Sequence, residues 1–391
     1  MNYLTILLIV LLLLSLVELS FAKHKVLCNQ LFHIAFAFTA FWVGIKYYIG
    51  PDIFSYVPFY ETIQPLKDIL GGHYKGDFEI GFAIFCSLLK SIGLSFWGMT
   101  VIITAIYFAA IYKVFKQLKS YRIFALFILM LLDYNLVLYE FRQCLAVSLF
   151  IFTYYTWTEK KYWKTLLIVI IAIFTHKSAI FIYLGVLLVY IFKSTNISRK
   201  SYIFLGMIFI FMLTIPPIFF FETIINKIPL SATVYRSVIH HLSEGKIFQL
   251  ILPVYLLAIF CIAYYGNFSK ENQKWHWFMW CGVTVIVILF QYWFLLNRIR
   301  SYFMPFLLVY TIHTLLNSKR KDILPRQIFV FTLITYSLLF IYGNYLKAEN
   351  NASRTNNIST IFERLKHSED FVKNRQMKEA KIYWERDYLK E

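Results

Sequence analysis

The chain has 391 residues, of which 59% are hydrophobic and only 15% charged, and its formal net charge is +18. A soluble core of this length cannot hide so much apolar surface, and the basic residues sit in short loops between apolar runs, not in the single patch that nucleic acid requires. The runs are continuous and do not alternate, which excludes a β-barrel and predicts an all-α, polytopic integral membrane protein of about twelve transmembrane helices.

In chain order, helices are predicted at 3–22, 27–46, 96–113, 121–138, 142–158, 162–175, 178–193, 201–221, 247–266, 275–296, 301–316 and 327–346. The first run has no basic residue before it and is followed by Lys23 and Lys25, so it reads as a retained helix rather than a signal peptide. With this set of helices the six basic loops all fall on one side. They carry Lys23 and Lys25; Lys113, Lys116, Lys119 and Arg122; Lys160, Lys161 and Lys164; Lys193, Arg199 and Lys200; Lys270 and Lys274; and Lys319, Arg320, Lys321 and Arg326. The positive-inside bias makes that side cytoplasmic. Residues 1–346 then form a single transmembrane domain, and 347–391 a charged, polar C-terminal tail.

The other side receives 47–95, the 139–142 turn, the 175–178 turn, the 222–246 loop and a turn at 297–300. Within 47–95 a Gly-Pro turn and the acids Asp52, Glu61, Asp68, Asp77 and Glu79 precede a short apolar stretch at 80–92. That stretch is too short to cross a bilayer and predicts a re-entrant or interfacial helix. His240 and His241 in the 222–246 loop are adjacent, so they point in different directions, and no shared metal is expected. The five cysteines are scattered without a CxxC pair, and no P-loop, dinucleotide fingerprint, HExxH or GxSxG pattern occurs, so no metal and no cofactor is expected.

Arg142 and His176 lie equally far from Glu159, one on each side of it along the chain. An antiparallel helix pair turning at Glu159 brings them back to one membrane level. Ionisable groups at the mouth of an apolar bundle are costly and point to a site with partners nearby. Arg298 and Arg300 converge on the same face, where basic residues run against the topology bias.

With these residues in view, the chain resembles the EpsG family, Wzy-like polymerases of exopolysaccharide and O-antigen type. The matching features are Gly50-Pro51-Asp52 with Tyr56, Glu79-Ile80-Gly81-Phe82, Arg142-Gln143 with Leu145-Ala146, His176-Lys177-Ser178-Ala179, and Arg298, Arg300 and Tyr302. The resemblance runs over roughly residues 45 to 310 and is carried by the joint order of these short motifs. It implies a helical bundle similar to the GT-C class of glycosyltransferases, a polyprenyl-diphosphate-linked oligosaccharide donor and a lipid-linked acceptor. It also implies work at the extracytoplasmic face of the bacterial cytoplasmic membrane, with a flippase and a chain-length regulator of the same pathway as partner proteins.

In that reaction the leaving group is a diphosphate. Arginine suits it, because it is always protonated and its planar fork grips phosphate oxygens in pairs. Arg142, Arg298 and Arg300 are the candidates; Arg298 and Arg300 are two apart and would face away from each other on a regular helix. His176 is the candidate base for the acceptor hydroxyl, with Asp52 or Glu79 as alternatives. Gln143 and Tyr56 join the substrate-binding set, and Lys177 either supports the diphosphate or marks the interface. Two other classes compete. A polysaccharide O-acyltransferase would take its acyl donor through a channel from the cytoplasm. A flippase or transporter for lipid-linked glycans would show inverted repeats and charges at the midplane, whereas no repeat is visible and the charges gather at one face.

Overall fold

The computed structural model describes residues 3–21, 23–48, 52–76, 78–191, 197–213, 259–260, 262–266, 273–289 and 293–317, and in the tail 359–360, 368, 370, 373–374 and 377. The protein is all-α apart from one pair of two-residue strands. It divides into a first unit, Met1–Ile180 with Ser337–Glu391, and a second, Phe181–Tyr336. The predicted 327–346 helix and the 222–246 loop lie outside the described residues, as does most of the 247–266 helix.

The first unit opens with α1 (Tyr3–Ser20) and α2 (Lys25–Gly44), which ends near a two-residue strand, β1 (Lys46–Tyr47). α3 (Ile53–Thr62), α4 (Leu66–Asp68, running into a π turn at Ile69–His73) and α5 (Ile80–Ser91) build the segment between membrane helices. α6 (Phe96–Phe115), α7 (Arg122–Leu138), α8 (Phe141–Thr158) and α9 (Tyr162–Thr175) follow, and the boundary with the second unit falls within α10 (Ser178–Ile191). α1 packs along α7 through Leu4, Leu7, Leu8 and Leu11, all buried, and the Glu18 carboxylate at its far end accepts the first three backbone N–H groups of α7, from Arg122, Ile123 and Phe124. In the tail, Ser359–Thr360 forms β2, antiparallel to β1, with Lys46 opposite Thr360.

Helix ends are set by local chemistry. Ser95 caps α6 by accepting from Gly98 N. α5 stops at Gly93, whose φ of 83° lets Gly93 N reach Lys90 O while Leu94 N reaches Leu89 O, the double bond of a Schellman motif. α8 stops in the same way with a lysine in the glycine position: Lys160 has φ 59°, with Lys160 N to Trp157 O and Lys161 N to Thr156 O. The turn sends α9 back along α8, and Thr165 Oγ1 donates to Thr156 Oγ1 across the pair at 3.0 Å.

Among the described residues, α2 and α6 are the two helices both long and apolar enough to cross a bilayer. α5, at 12 residues, rises about 18 Å, well short of a hydrocarbon core of about 30 Å. The outer surface is apolar in stripes at helical spacing: Leu166, Leu167, Ile170, Ile171 and Phe174 on α9, and Ile203, Phe204, Met207, Ile210 and Phe211 on α11 (Arg199–Leu213) are all exposed. Water would penalise such stripes, whereas lipid solvates them. Thr104, Asp133, Gln143 and Ser148 are turned inward instead. This is a helical membrane protein.

The second unit contains α11, α12 (Gln273–Leu289) and α13 (Trp293–Asn317). Buried Tyr202 donates to His276 O at 3.2 Å, and the Tyr310 hydroxyl lies 3.1 Å from His276 Nδ1, so one polar knot ties the three helices together. The expected turn at 297–300 is not there, because α13 runs unbroken through it. Nothing in Asn-Arg-Ile-Arg-Ser stops a helix, since arginine is nearly as good a helix former as leucine. Arg300 is buried and Arg298 partly exposed, as two positions 200° apart on one helix should be.

Candidate active site

Three chain segments of the first unit converge where α5 begins, α8 begins and α9 ends. Glu79 precedes the first residue of α5, where a side chain would ordinarily cap its own helix. Its carboxylate makes no such bond and reaches across to α8 and the end of α9 instead. Glu79 Oε2 accepts from Arg142 Nη1 at 2.5 Å. Glu79 Oε1 lies 3.3 Å from His176 Nδ1 and accepts from Lys177 N at 3.3 Å. One carboxylate thus joins the two residues that the helix-pair geometry had brought to a common level.

The approach depends on a glycine. A β-carbon at Gly81 would fall 2.6 Å from the backbone of Phe174, so α5 touches the end of α9 main chain to main chain. Glu79 and His176 stand two residues beyond that contact, one on each segment. His176 leaves α9 as its C-cap with extended backbone, which turns the ring out of the helix line toward Glu79.

Arg142 is held on several sides. Its Nε donates to the Tyr56 hydroxyl at 3.0 Å, and its guanidinium lies 4.4 Å from the Phe78 ring centre and 5.7 Å from that of Tyr56. Phe78 stacks on Tyr56 and meets Phe59 edge-on, forming an aromatic wall behind the cation. Two of the five N–H groups of Arg142 are used, leaving three for a ligand. Its side chain is 24% exposed, against 8% for Glu79 and 8% for His176, so it is the most open member of the trio.

The electrostatics follow from the packing. Burial raises the Glu79 carboxyl, but the hydrogen bonds from His176 and Arg142 and the Arg142 charge outweigh it and hold Glu79 well below the usual carboxylate range. Glu79 is therefore ionised at neutral pH and acts only as an acceptor, so its His176 partner must offer Nδ1–H. The lone pair of a neutral His176 then lies on Nε2. Burial also pushes the Tyr56 hydroxyl up to about 12, with the Asp52 charge adding to the effect, so Tyr56 stays a neutral acceptor for Arg142.

Among the residues expected from sequence, Glu79, Arg142, His176 and Tyr56 are brought together, and Lys177 joins through its backbone N–H while its side chain stays exposed. Gln143 is buried on α8. Asp52 stands exposed at the start of α3 and is not hydrogen-bonded to Glu79 or Arg142. Arg298 and Arg300 belong to the second unit. His240 and His241 lie outside the described residues, and no cluster of metal-ligating side chains occurs among those described.

Two residues escaped the sequence reading. Phe78 floors the arginine but is one of 40 phenylalanines, and only its place beside Glu79 marks it. Lys46 is buried between helices, where Nζ donates to Val137 O and Thr104 Oγ1 and lies 5.0 Å from the Phe141 ring centre. A lone lysine ending an apolar run, outside every basic loop, was the available signal. The EpsG family model matches residues 29–357 of the chain. No curated protein and no solved structure matches it.

Proposed function

The chain belongs to the EpsG family, whose function is of polysaccharide-polymerase type in a membrane, and on that premise we propose that it joins lipid-linked glycan repeat units at the extracytoplasmic face of the bacterial cytoplasmic membrane. The donor in this reading is a polyprenyl-diphosphate-linked oligosaccharide and the acceptor a sugar hydroxyl of a second lipid-linked unit. In this reading the bundle has about twelve transmembrane helices and a GT-C-like architecture, and a flippase and a chain-length regulator serve the same pathway. The observation that carries the reading is the Glu79 carboxylate held between Arg142 and His176.

The chemistry divides among these residues. Arg142 is open, pre-oriented by Tyr56 and Phe78, and has N–H groups to spare, so it meets the diphosphate oxygens. As the acceptor oxygen bonds to the anomeric carbon, the bond from that carbon to the diphosphate oxygen breaks, and its electron pair leaves with the polyprenyl diphosphate. The acceptor proton passes to His176 Nε2. Glu79 is too acidic to take that proton; it is a positioning residue that fixes the tautomer of His176 and the direction of Arg142.

The lipid-linked glycan profile of a deletion strain complemented with wild type or with Glu79→Gln tests this. Single repeat units should accumulate on the lipid in the deletion strain and in the variant, and polymer should return with the wild type. Lipid precursor trapped on the cytoplasmic side would make the protein a flippase instead.

A further inference from the structure

A second charged feature lies at the opposite end of the first unit. α7 begins at Arg122 and ends at Leu138, about 25 Å away, just before Arg142. At its beginning a cavity of about 230 Å³ opens between the end of α1, the start of α2 and the α6–α7 turn, lined by Glu18, Lys25, Cys28, Asn29, Lys119, Ser120 and Arg122. The polymerase reading makes no use of it.

Its charges do not balance internally. Glu18 is 1% exposed, and its two oxygens are committed to the three backbone N–H groups at the start of α7. One carboxylate thus faces Lys25, Lys119 and Arg122, an excess of two positive charges around an open space. Arg122 is held in place: Nε donates to Leu118 O at 2.6 Å, Nη1 donates to Asn29 Oδ1 at 2.7 Å, and the guanidinium lies 5.4 Å from the Phe32 ring centre. These contacts order the side chain in advance and leave three of its five N–H groups for an anion. Asn29 and Ser120 add polar groups at the rim.

We propose that this cavity binds a phosphate group, with Arg122 as the fork and Lys25 and Lys119 as flanking charges. Arginine matches phosphate oxygens in pairs, and lysine serves as a point charge. Helix ends of a membrane bundle lie at headgroup depth, where basic pockets between helices take phosphate-bearing headgroups. The same chemistry would hold a free phosphate arriving from the aqueous side, so two sources are open to one site.

The test uses the full-length protein in phosphatidylcholine nanodiscs. Phosphatidylglycerol added to the discs, and retained on release of the protein, is counted by native mass spectrometry; inorganic phosphate is titrated calorimetrically into undoped discs. Lys119→Gln and Arg122→Gln are compared with wild type. Arg122→Gln keeps the backbone N–H that Glu18 accepts, so the start of α7 stays capped, and Lys119→Gln alters an exposed side chain. Each basic residue near the headgroups accounts for about a fivefold change in affinity. Binding should therefore fall about fivefold in Lys119→Gln and further in Arg122→Gln. Retention of phosphatidylglycerol with that dependence identifies a lipid headgroup as the occupant, and saturable binding of inorganic phosphate identifies a free anion. If neither probe binds, or both variants bind as the wild type does, the proposal is wrong.

Discussion

Gly81 and Phe174 touch backbone to backbone, and this contact sets the spacing of the site two residues farther along each segment. A β-carbon at Gly81 would stand 2.6 Å from the Phe174 carbonyl carbon and oxygen. These atoms cannot move aside as a flexible side chain would, so α5 must retreat. Glu79 would retreat with it, away from His176 Nδ1 at 3.3 Å. Gly81→Ala should therefore insert normally, lose about 1–3 kcal/mol of stability through overpacking, and make about 10²-fold less polymer, the usual effect of a misplacement by about an ångström in the groups that orient the reacting ones. Thermal denaturation and polymer yield of the purified variant measure the two effects. Full activity would mean that the Glu79–His176 contact does not matter.

Glu79 makes a prediction about pH. Its folded-state carboxyl is held well below the usual carboxylate range, while its unfolded value lies near 4.3. A depressed value means that its contribution to stability is complete above the unfolded value and is lost as pH falls toward the folded one. The melting-temperature difference between wild type and Glu79→Gln should stay flat from about pH 7 to pH 5 and shrink below about pH 4. A difference that already shrinks between pH 7 and 5 would mean that Glu79 does not hold its charge between Arg142 and His176.

The helices were legible because each apolar run is bounded by charge. α9 begins and ends where its run predicts, and α8 begins one residue early. Matched distances from Glu159 also placed Arg142 and His176 at one level. Glu79 stood among the candidate bases, but its bridging position between the two was not legible, because it reaches them over 63 and 97 residues through a glycine contact that no periodicity announces. Charge usually marks the membrane edge and so predicts a turn at 297–300, whereas here the helix carries Arg298 and Arg300 within it. Lys46 was hidden for the same reason in reverse, as a buried cation at the end of an apolar run.

Lys160 occupies a left-handed position that favours glycine. Lys160→Gly should raise stability by up to about 1 kcal/mol, and Lys160→Val, branched at Cβ, should lower it by more. Neither should change polymer yield, since the turn lies at the opposite end of α8 from Arg142. Thermal melts in detergent measure the first effect, and a drop in yield with Lys160→Gly would link the turn to the site.

Sidedness makes its own prediction. The basic loops assign Lys116 and Lys161 to the cytoplasm and Leu70, in the segment that carries Glu79, to the outside. All three positions are exposed. Single cysteines there, in a background lacking the five native ones, should react with an impermeant maleimide in intact cells only at Leu70→Cys. Labelling at Lys161→Cys in sealed cells would reverse the orientation and place the Glu79 site on the cytoplasmic side.

His176 and Arg142 should fail differently when replaced. His176→Gln keeps a hydrogen-bonding group that can face Glu79 but has no basic nitrogen for the acceptor proton. It should bind the lipid-linked donor with nearly normal affinity and transfer it about 10²–10⁴-fold more slowly, the range of general-base assistance. Arg142→Lys keeps one positive charge but loses the planar fork, the Nε bond to Tyr56 and the flat contact with Phe78. Its loss should appear as weakened donor binding as well as slow turnover, and Tyr56→Phe should reproduce part of it by freeing the guanidinium. Donor binding and single-turnover transfer, measured separately on reconstituted variants, distinguish the two patterns. Normal transfer by His176→Gln would remove His176 as the base. Lost donor binding in that variant would make the imidazole a substrate-holding group, with Glu79 and Arg142 still aligned behind it.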